Sequence, residues 1–152
     1  MDITICDVRS EHLEAIAAIE RECFSVPWTL EQLKTQLPDA MHVFLLAEEN
    51  GEAAGYVGMM NVLDEGYISN VAVREKSRRR GVADALLDEL VRRCEERGLV
   101  FVTLEVRASN APAVALYAKH GFVPVGERKN YYERPTEDAL LMTKFFKRGA
   151  ES

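Results

Sequence analysis

Residues 78–83, Arg-Arg-Arg-Gly-Val-Ala, form a short basic segment that could bind phosphate. Directly upstream, residues 71–73 are typical of the end of a buried strand, and from Val82 apolar residues recur with the 3.6-residue period of a helix. The first amide N–H groups of a helix have no partner within it and attract anions. Gly81 would let the backbone approach such a ligand, and the arginines would add charged hydrogen bonds. We therefore predict a pyrophosphate-binding turn.

The same basic segment has a second interpretation, as a solvated turn that serves only solubility. The chain contains neither the GxxxxGK[ST] pattern of a P-loop nor the GxGxxG pattern of a dinucleotide fold. The pattern R-x-x-G-x-A is not specific by itself, and runs of charge usually lie on a solvated surface. From these residues alone, both interpretations stay open.

A second group of polar residues follows the apolar run 99–106, which is typical of a buried strand. Glu105 interrupts this run near its end, where burial would make its carboxylate a better base. A solvated glutamate at a strand end is the alternative. Asn110 and Tyr117 follow at a spacing that puts them on one helix face about two turns apart. Tyr117 could donate a proton, or it could be a core aromatic with its hydroxyl at the surface.

The elements that must position these residues follow from hydrophobic periodicity and turn signals. Predicted strands cover residues 3–8, 42–48, 53–63, 67–73, 99–106, 122–126 and 140–146, and predicted helices cover about 10–24, 29–37, 81–96 and 110–120. Ser10, Thr29 and Asn110 are the expected N-caps, with Gln32 completing a capping box, and 64–66 is an expected turn. This order predicts one α/β domain over residues 1–152, with an ordered core from about 3 to 146 and a mixed sheet.

Composition excludes several classes of protein. The net charge of −6 argues against broad nucleic-acid binding, and no apolar run approaches the roughly 20 residues of a membrane span. The N-terminus lacks a secretory signal. The cysteines are odd in number and far apart in sequence, which argues against a disulfide framework; they are Cys6, Cys23 and Cys94. No histidine or cysteine spacing is typical of a metal site. We expect a cytoplasmic protein with no metal, nucleic-acid partner or membrane partner, and a monomer or weak dimer.

Several motifs, in order, resemble the GNAT superfamily of acetyl-CoA-dependent N-acetyltransferases. They are R-x-x-G-x-A at 78–83, Leu-Glu-Val-Arg-Ala-Ser-Asn at 104–110 and Ala-Leu-Tyr-x-x-x-Gly-Phe at 115–122. Pro27-Trp28, Arg-x-Asn-Tyr-Tyr at 128–132 and Asp-Ala-Leu-x-Met at 138–142 make the chain similar to the RimI-type ribosomal-protein-alanine N-acetyltransferases. The resemblance extends from about residue 3 to 146. Ala83 replaces the glycine that the superfamily often has at this position. Alanine is small enough that we expect acetyl-CoA binding to be kept.

This resemblance implies an α/β fold whose mixed, mostly antiparallel central sheet splays into a V and is flanked by about four helices. Acetyl-CoA would lie in the V, with its pyrophosphate at the start of the long helix and its pantetheine on the strand residues 71–73, where the family has a bulge. The residues expected to bind it are Val71, Ala72, Val73, Arg78, Arg79, Arg80, Gly81, Val82, Ala83, Asp84, Asn110 and Tyr117.

The resemblance also favours Glu105 as the base, acting through a water, and Tyr117 as the proton donor to the leaving thiolate. No cysteine has a comparable setting, so direct transfer in a ternary complex is expected. An α-amine, with a pKa of about 8, is neutral far more often at pH 7 than a lysine at about 10.4. Pro27, Trp28, Tyr131 and Tyr132 could wall a slot for a peptide end, or be ordinary packing residues.

The implied acceptor is the N-terminal alanine of a small-subunit ribosomal protein. Three alternatives stay open. The first is an acetyltransferase that acts on lysine side chains or small amines. The second is a module that binds CoA without turnover. The third is an RNA-binding domain that uses residues 78–80, which the acidic net charge makes the least favoured.

Overall fold

The computed structural model describes residues 3–36 and 41–146. Within this part of the chain the strands are β1 (Ile3–Asp7), β2 (His42–Glu49), β3 (Glu52–Val62), β4 (Glu65–Val73), β5 (Phe101–Arg107), β6 (Val123–Tyr132) and β7 (Glu137–Phe145). The α-helices are α1 (Leu13–Cys23), α2 (Leu30–Gln36), α3 (Val82–Glu96) and α4 (Ala111–Lys119). None of the helices in these described ranges is long and apolar enough to cross a membrane.

All seven strands belong to one sheet, in the order β1-β2-β3-β4-β5-β7-β6. Neighbouring strands are antiparallel except β4 and β5, which are parallel. Parallel strands need a long crossover between them, and α3 supplies it here. The predicted α/β class, with a mixed and mostly antiparallel sheet flanked by four helices, is confirmed.

The central strands are buried on both faces of the sheet. In β2, Val43 and Leu45 belong to one hydrophobic cluster, whereas Phe44 and Leu46 belong to the other, because successive side chains of a strand point to opposite faces. The apolar stripe of α3 packs into the first cluster, and that of α1 packs into the second. Two layers of helices therefore enclose the sheet. The cysteines are all free, as predicted.

The sheet opens between its two parallel strands. β4 and β5 pair only over Glu65–Tyr67 and Phe101–Thr103. Beyond Tyr67, no strand in the described ranges pairs with the edge of β4 that faces β5. Backbone groups on such an edge are available to a ligand. The predicted V-shaped opening is therefore present, and its walls are the C-terminal halves of β4 and β5.

The boundaries of several elements differ from the predicted ones. β6 is twice as long as the predicted strand 122–126, and β7 begins at Glu137 rather than 140, because this hairpin is polar and lacks clear alternation. The turn before β4 is formed by Leu63 and Asp64, not by 64–66. β5 begins at Phe101, two residues later than predicted.

Two of the three predicted N-caps are confirmed. Ser10 is not an N-cap, because it lies in a short 3-10 turn that precedes α1. Thr29 and Gln32 form the predicted capping box, in which the Thr29 N–H donates to Gln32 Oε1 (2.8 Å) and the Gln32 N–H donates to Thr29 Oγ1 (3.2 Å). Asn110 caps α4, as predicted. The predicted end of the second helix, at 37–39, lies outside the described residues.

Candidate active site

The N-terminus of α3 stands at the mouth of the opening. Gly81 precedes it with φ 83° and ψ 10°, and no side chain caps the helix. A Cβ at Gly81 would meet nothing within 4 Å, so the glycine is required by its left-handed backbone rather than by crowding. The first N–H groups of α3 are therefore available to an anion.

Two of the three arginines before α3 bind groups in other parts of the protein. Arg78 Nε donates to the Val73 carbonyl (3.0 Å), and its Nη2 contacts Cys23 Sγ (3.6 Å). Arg80 Nη1 pairs with Glu49 Oε2 (3.2 Å). The sequence predicted phosphate contacts for these side chains, but in this structure Arg78 and Arg80 bind groups of the chain itself. Main-chain amides are thus the stronger candidates for anion binding.

A β-bulge lies on the wall formed by β4, but two residues earlier than expected. The register between β3 and β4 shifts so that Gly58 faces Asn70 and Met59 faces Ile68, which leaves Ser69 as the extra residue. The prediction of a bulge at 71–73 was wrong, because these residues pair regularly with Val57, Tyr56 and Gly55. The physical reason is that a bulge interrupts a ladder, and the ladder is intact at 71–73.

Glu105 belongs to β5 and therefore lies on the opposite wall of the opening. Its side chain is 26% exposed, and Arg128 Nε donates to its Oε1 (3.3 Å). The expected burial is thus only partial, and a cation lies beside the carboxylate. Sequence reasoning did not assign a role to Arg128, although it belongs to the motif at 128–132. Its position on β6, beside β7, brings it to Glu105 across the sheet.

Two neighbouring tyrosines adjoin Glu105. Burial raises the pKa of Tyr131, and the negative charge of Glu105 raises it further. The pKa of Tyr132 is raised to about 12 by burial, by Tyr131 and by Glu105. The two rings meet edge to face, with centroids 5.1 Å apart, and the Arg107 guanidinium lies 4.5 Å from the Tyr132 ring centroid. Arg107 is a second residue whose contribution sequence reasoning missed.

Tyr117 lies on α4 in the first hydrophobic cluster. It is 7% exposed, and its ring centroid is 5.8 Å from that of Phe122. Its hydroxyl makes no hydrogen bond with the residues that the structure describes. Burial raises the pKa of Tyr117, and Tyr132 adds to this shift, so the hydroxyl keeps its proton at neutral pH. Glu105, the tyrosine pair and Tyr117 are therefore electrostatic neighbours.

Asn110 has a structural role in addition to any binding role. Its side-chain oxygen accepts the Ala113 N–H (3.2 Å) as the N-cap of α4. Asn110 is exposed whereas Tyr117 is buried, so the two residues differ in environment despite their helical spacing. The N-cap leaves the NH₂ group of Asn110 as the part of the side chain that could hold a ligand.

Pro27 and Trp28 lie in the loop between α1 and α2, on the β4 side of the opening. The Trp28 side chain packs against the second hydrophobic cluster, and its backbone N–H donates to Glu20 Oε1 (2.7 Å). Tyr131 and Tyr132 lie on β6, on the β5 side. The four residues predicted to wall a slot therefore belong to opposite sides of the opening. Glu20 was missed, although a charged residue on the apolar stripe of α1 was a visible signal.

These features fit a CoA thioester. The uncapped start of α3 suits a pyrophosphate, and the unpaired edge of β4 suits the amide groups of a pantetheine. Asp84, in the first turn of α3, is held by His120 Nε2 (2.7 Å) and Lys119 Nζ (3.0 Å), which join α3 to α4 at this end. Within residues 3–36 and 41–146, no three His, Cys, Asp or Glu side chains are grouped so as to hold a metal ion.

The chain is similar to known acetyltransferases along nearly its whole length. It is 37% identical over 143 residues to the ribosomal protein bS18-alanine N-acetyltransferase of Escherichia coli (strain K12), covering 91% of this chain and 95% of the relative. The corresponding protein of Haemophilus influenzae is 33% identical over 141 residues, again covering 91% and 95%. The crystal structure of the ribosomal-protein-S18-alanine N-acetyltransferase from Escherichia coli superposes with a TM-score of 0.92 at 33% identity, covering 99% and 98%.

Residues 13–122 match the family model described as the acetyltransferase (GNAT) family. This range includes both walls of the opening, the start of α3 and the two residues predicted to carry the chemistry. Because the model spans most of the chain and the relatives above match it almost end to end, the protein belongs to the acetyltransferase (GNAT) family.

Proposed function

We propose that this enzyme transfers the acetyl group of acetyl-CoA to the α-amino group of the N-terminal alanine of ribosomal protein bS18, by direct transfer in a ternary complex. The observation that carries the proposal is the opening between β4 and β5, which has the uncapped start of α3 at its mouth and Glu105 on one wall. We infer the acceptor from the names of the relatives described above. We expect a cytoplasmic enzyme, active as a monomer or weak dimer.

Donor binding rests mainly on main-chain groups. In this proposal the N–H groups at the start of α3, from Val82 to Asp84, receive the pyrophosphate. The edge of β4 that faces β5 pairs with the pantetheine between Ser69 and Val73, and the Asn110 amide supports it. Arg78 and Arg80 hold the turn in shape through Val73 and Glu49.

The chemistry needs a base for the incoming amine and an acid for the leaving sulfur. Bound acetyl-CoA supplies the activated acyl group, a thioester carbonyl. Glu105 takes a proton from the acceptor nitrogen through a water, and Arg128 orients its carboxylate. As the bond between the nitrogen and the carbonyl carbon forms and the carbon–sulfur bond breaks, Tyr117 gives its hydroxyl proton to the sulfur of the departing CoA. Its raised pKa makes it a weak acid, so the proton moves only as negative charge develops on the sulfur. Glu105 then releases its proton to solvent, and Tyr117 regains one from solvent.

An N-terminal amine suits this base better than a lysine does. Its lower pKa leaves roughly a tenth of it neutral at pH 7, so a partly exposed carboxylate is sufficient. Trp28 and Pro27 on one side, and Tyr131 and Tyr132 on the other, would hold the end of a peptide between them. RNA binding through residues 78–80 is disfavoured, because Arg78 and Arg80 already bind protein groups.

Two matched peptides test the proposal. One begins with the alanine-initiated N-terminal segment of ribosomal protein bS18, and its twin carries a blocked N-terminus and an internal lysine. We expect CoA release with the first peptide only. Modification of the twin alone would assign the activity to lysine side chains, and binding of acetyl-CoA without release of CoA to any amine would indicate a binding module. Mass spectrometry of protein N-termini in cells with and without the enzyme then identifies the acceptor.

A further inference from the structure

A buried carboxylate lies beneath the loop between α1 and α2, outside the groups assigned to the chemistry. Glu20 and Tyr56 are both completely buried. The Tyr56 hydroxyl and the Asn70 amide (2.9 Å) donate to Glu20 Oε2, and the Trp28 N–H donates to Oε1 (2.7 Å). Asn70 also donates to the Tyr56 oxygen (3.1 Å). Both oxygens of Glu20 are thus engaged by groups from three other segments.

This cluster connects the two sides of the proposed ternary complex. Through Oε1, Glu20 holds the backbone of Trp28, which we assign to the acceptor slot. Through Oε2, it holds Asn70, which lies next to the bulge residue Ser69 on the wall proposed for the donor. A rigid group between these contacts fixes the position of the Trp28 loop relative to β4.

Packing alone does not explain a carboxylate at this position. A completely buried carboxylate without a cationic partner is costly to desolvate, and an apolar side chain of similar volume would avoid that cost. An apolar residue could not accept the Trp28 N–H, however, and the loop would lose the contact that fixes its backbone. Of the three donors that Glu20 accepts, only the Trp28 N–H belongs to a loop, whereas Tyr56 and Asn70 are also held in place by the pairing of β3 with β4. The loss of this acceptor should therefore move the loop more than the strands.

We propose that Glu20 is a positioning residue, which sets the affinity for the acceptor peptide by holding Trp28 at a fixed distance from β4. The proposal rests on the proposed function, since it assigns Trp28 to the acceptor slot. Glu20 itself touches neither substrate. Its loss should therefore affect acceptor binding more than donor binding or the chemical step.

Two substitutions of equal length separate this role from general folding. Glu20→Met keeps the volume but removes the acceptor for the Trp28 N–H, and we expect the KM for the alanine-initiated peptide to rise about tenfold. The KM for acetyl-CoA and kcat should stay close to those of the wild type. Glu20→Gln is the matched control, because its amide oxygen can still accept the Trp28 N–H while Tyr56 and Asn70 reorient their donors. It should keep the wild-type peptide KM.

The fluorescence of Trp28 gives a readout that does not depend on turnover, because this is the only tryptophan in the chain. In Glu20→Met we expect a red-shifted emission and stronger quenching by acrylamide, since the indole is no longer held against the second hydrophobic cluster. Glu20→Gln should match the wild type. Amide hydrogen exchange of Trp28 in the wild-type enzyme should also be slow, because its N–H is hydrogen-bonded beneath the loop.

A folded Glu20→Met enzyme with wild-type peptide KM and wild-type quenching would overturn the proposal, as would equal losses of affinity for peptide and acetyl-CoA. If Glu20→Met does not fold, amide hydrogen exchange in the wild-type enzyme decides. An unprotected Trp28 amide would show that Glu20 does not hold the loop, and it would overturn the proposal. If the wild-type enzyme acetylates no peptide N-terminus, the proposed function fails, whereas quenching and exchange still report whether Glu20 holds the loop.

Discussion

Removal of the Tyr117 hydroxyl should separate catalysis from stability in this enzyme. The Tyr117 hydroxyl makes no hydrogen bond with the described residues, so Tyr117→Phe leaves no donor or acceptor without its partner. The ring keeps its contact with Phe122. The free energy of unfolding should therefore change by less than about 0.5 kcal/mol. Proton transfer to a leaving group is worth about 10²–10⁴ in rate, so kcat should fall at least tenfold.

The assay follows CoA release at saturating alanine-initiated peptide, with thermal unfolding and acetyl-CoA affinity measured in parallel. Tyr56→Phe is the control, because it deletes the same atom from another buried tyrosine. Its hydroxyl donates to the buried Glu20, so its loss should cost about 1–3 kcal/mol of stability. With saturating substrates its kcat should be nearly that of the wild type. Tyr117→Phe should thus lose activity and keep its stability, whereas Tyr56→Phe should lose stability and keep its activity.

A wild-type kcat in Tyr117→Phe would remove Tyr117 from the mechanism. A loss of stability as large as that of Tyr56→Phe would also refute the reasoning, because it would show that the hydroxyl has a structural partner. The pH dependence adds a further check. Burial raises the pKa of Tyr117, so its hydroxyl stays protonated through the assay range, and it should cause no decline in kcat between about pH 7 and pH 9.

Three other substitutions test the remaining parts of the site. Glu105→Gln should reduce kcat/KM most at low pH, where neutral amine is scarce, and Glu127→Gln on β6 serves as the control; a small effect that does not vary with pH would exclude Glu105 as the base. Gly81→Ala and Gly98→Ala each place a side chain at positive φ in open space and should each cost about 1 kcal/mol, but only Gly81→Ala should raise the KM for acetyl-CoA, and equal KM values would contradict anion binding at α3. Hydrogen bonding to His120, and then Lys119, lowers the pKa of Asp84, so this carboxylate stabilises the fold above its unfolded value of 3.8, and the contribution disappears as the pH falls through the lower folded value. Asp84→Asn should thus cost less than about 1 kcal/mol in urea unfolding at pH 7, and this cost should shrink as the pH falls below 3.8; a cost that does not shrink in acid would contradict this account.

The local elements of this protein were largely readable from its sequence. The helix that follows Gly81 and the capping box at Thr29 depend on neighbours three or four residues away, so the chain carries their signals locally. The mixed sheet follows from the order of strands and helices. The motifs at 78–83, 104–110 and 115–122 identified the family, which the similarity to other acetyltransferases confirms.

Contacts between distant segments could only be seen in the tertiary structure. The bulge at Ser69 depends on the register between two strands. The one-residue shift in alternation that it causes between Ile68 and Val71 is hidden in the sequence, because Ser69 and Asn70 are both polar. Arg128 reaches Glu105 because their strands, β6 and β5, both pair with β7. Arg78 turns back to the Val73 carbonyl because the turn folds over the end of β4.

The chain by itself determined where helices and strands form and which residue types could do acyl-transfer chemistry, because propensity, periodicity and caps act over a few residues. The tertiary structure alone decided which of those residues meet. It separated β4 from β5 after three paired positions, and it buried Glu20 of α1 against a loop and two strands. The physical reason is that burial and hydrogen bonding across the sheet depend on packing, which no short stretch of sequence encodes.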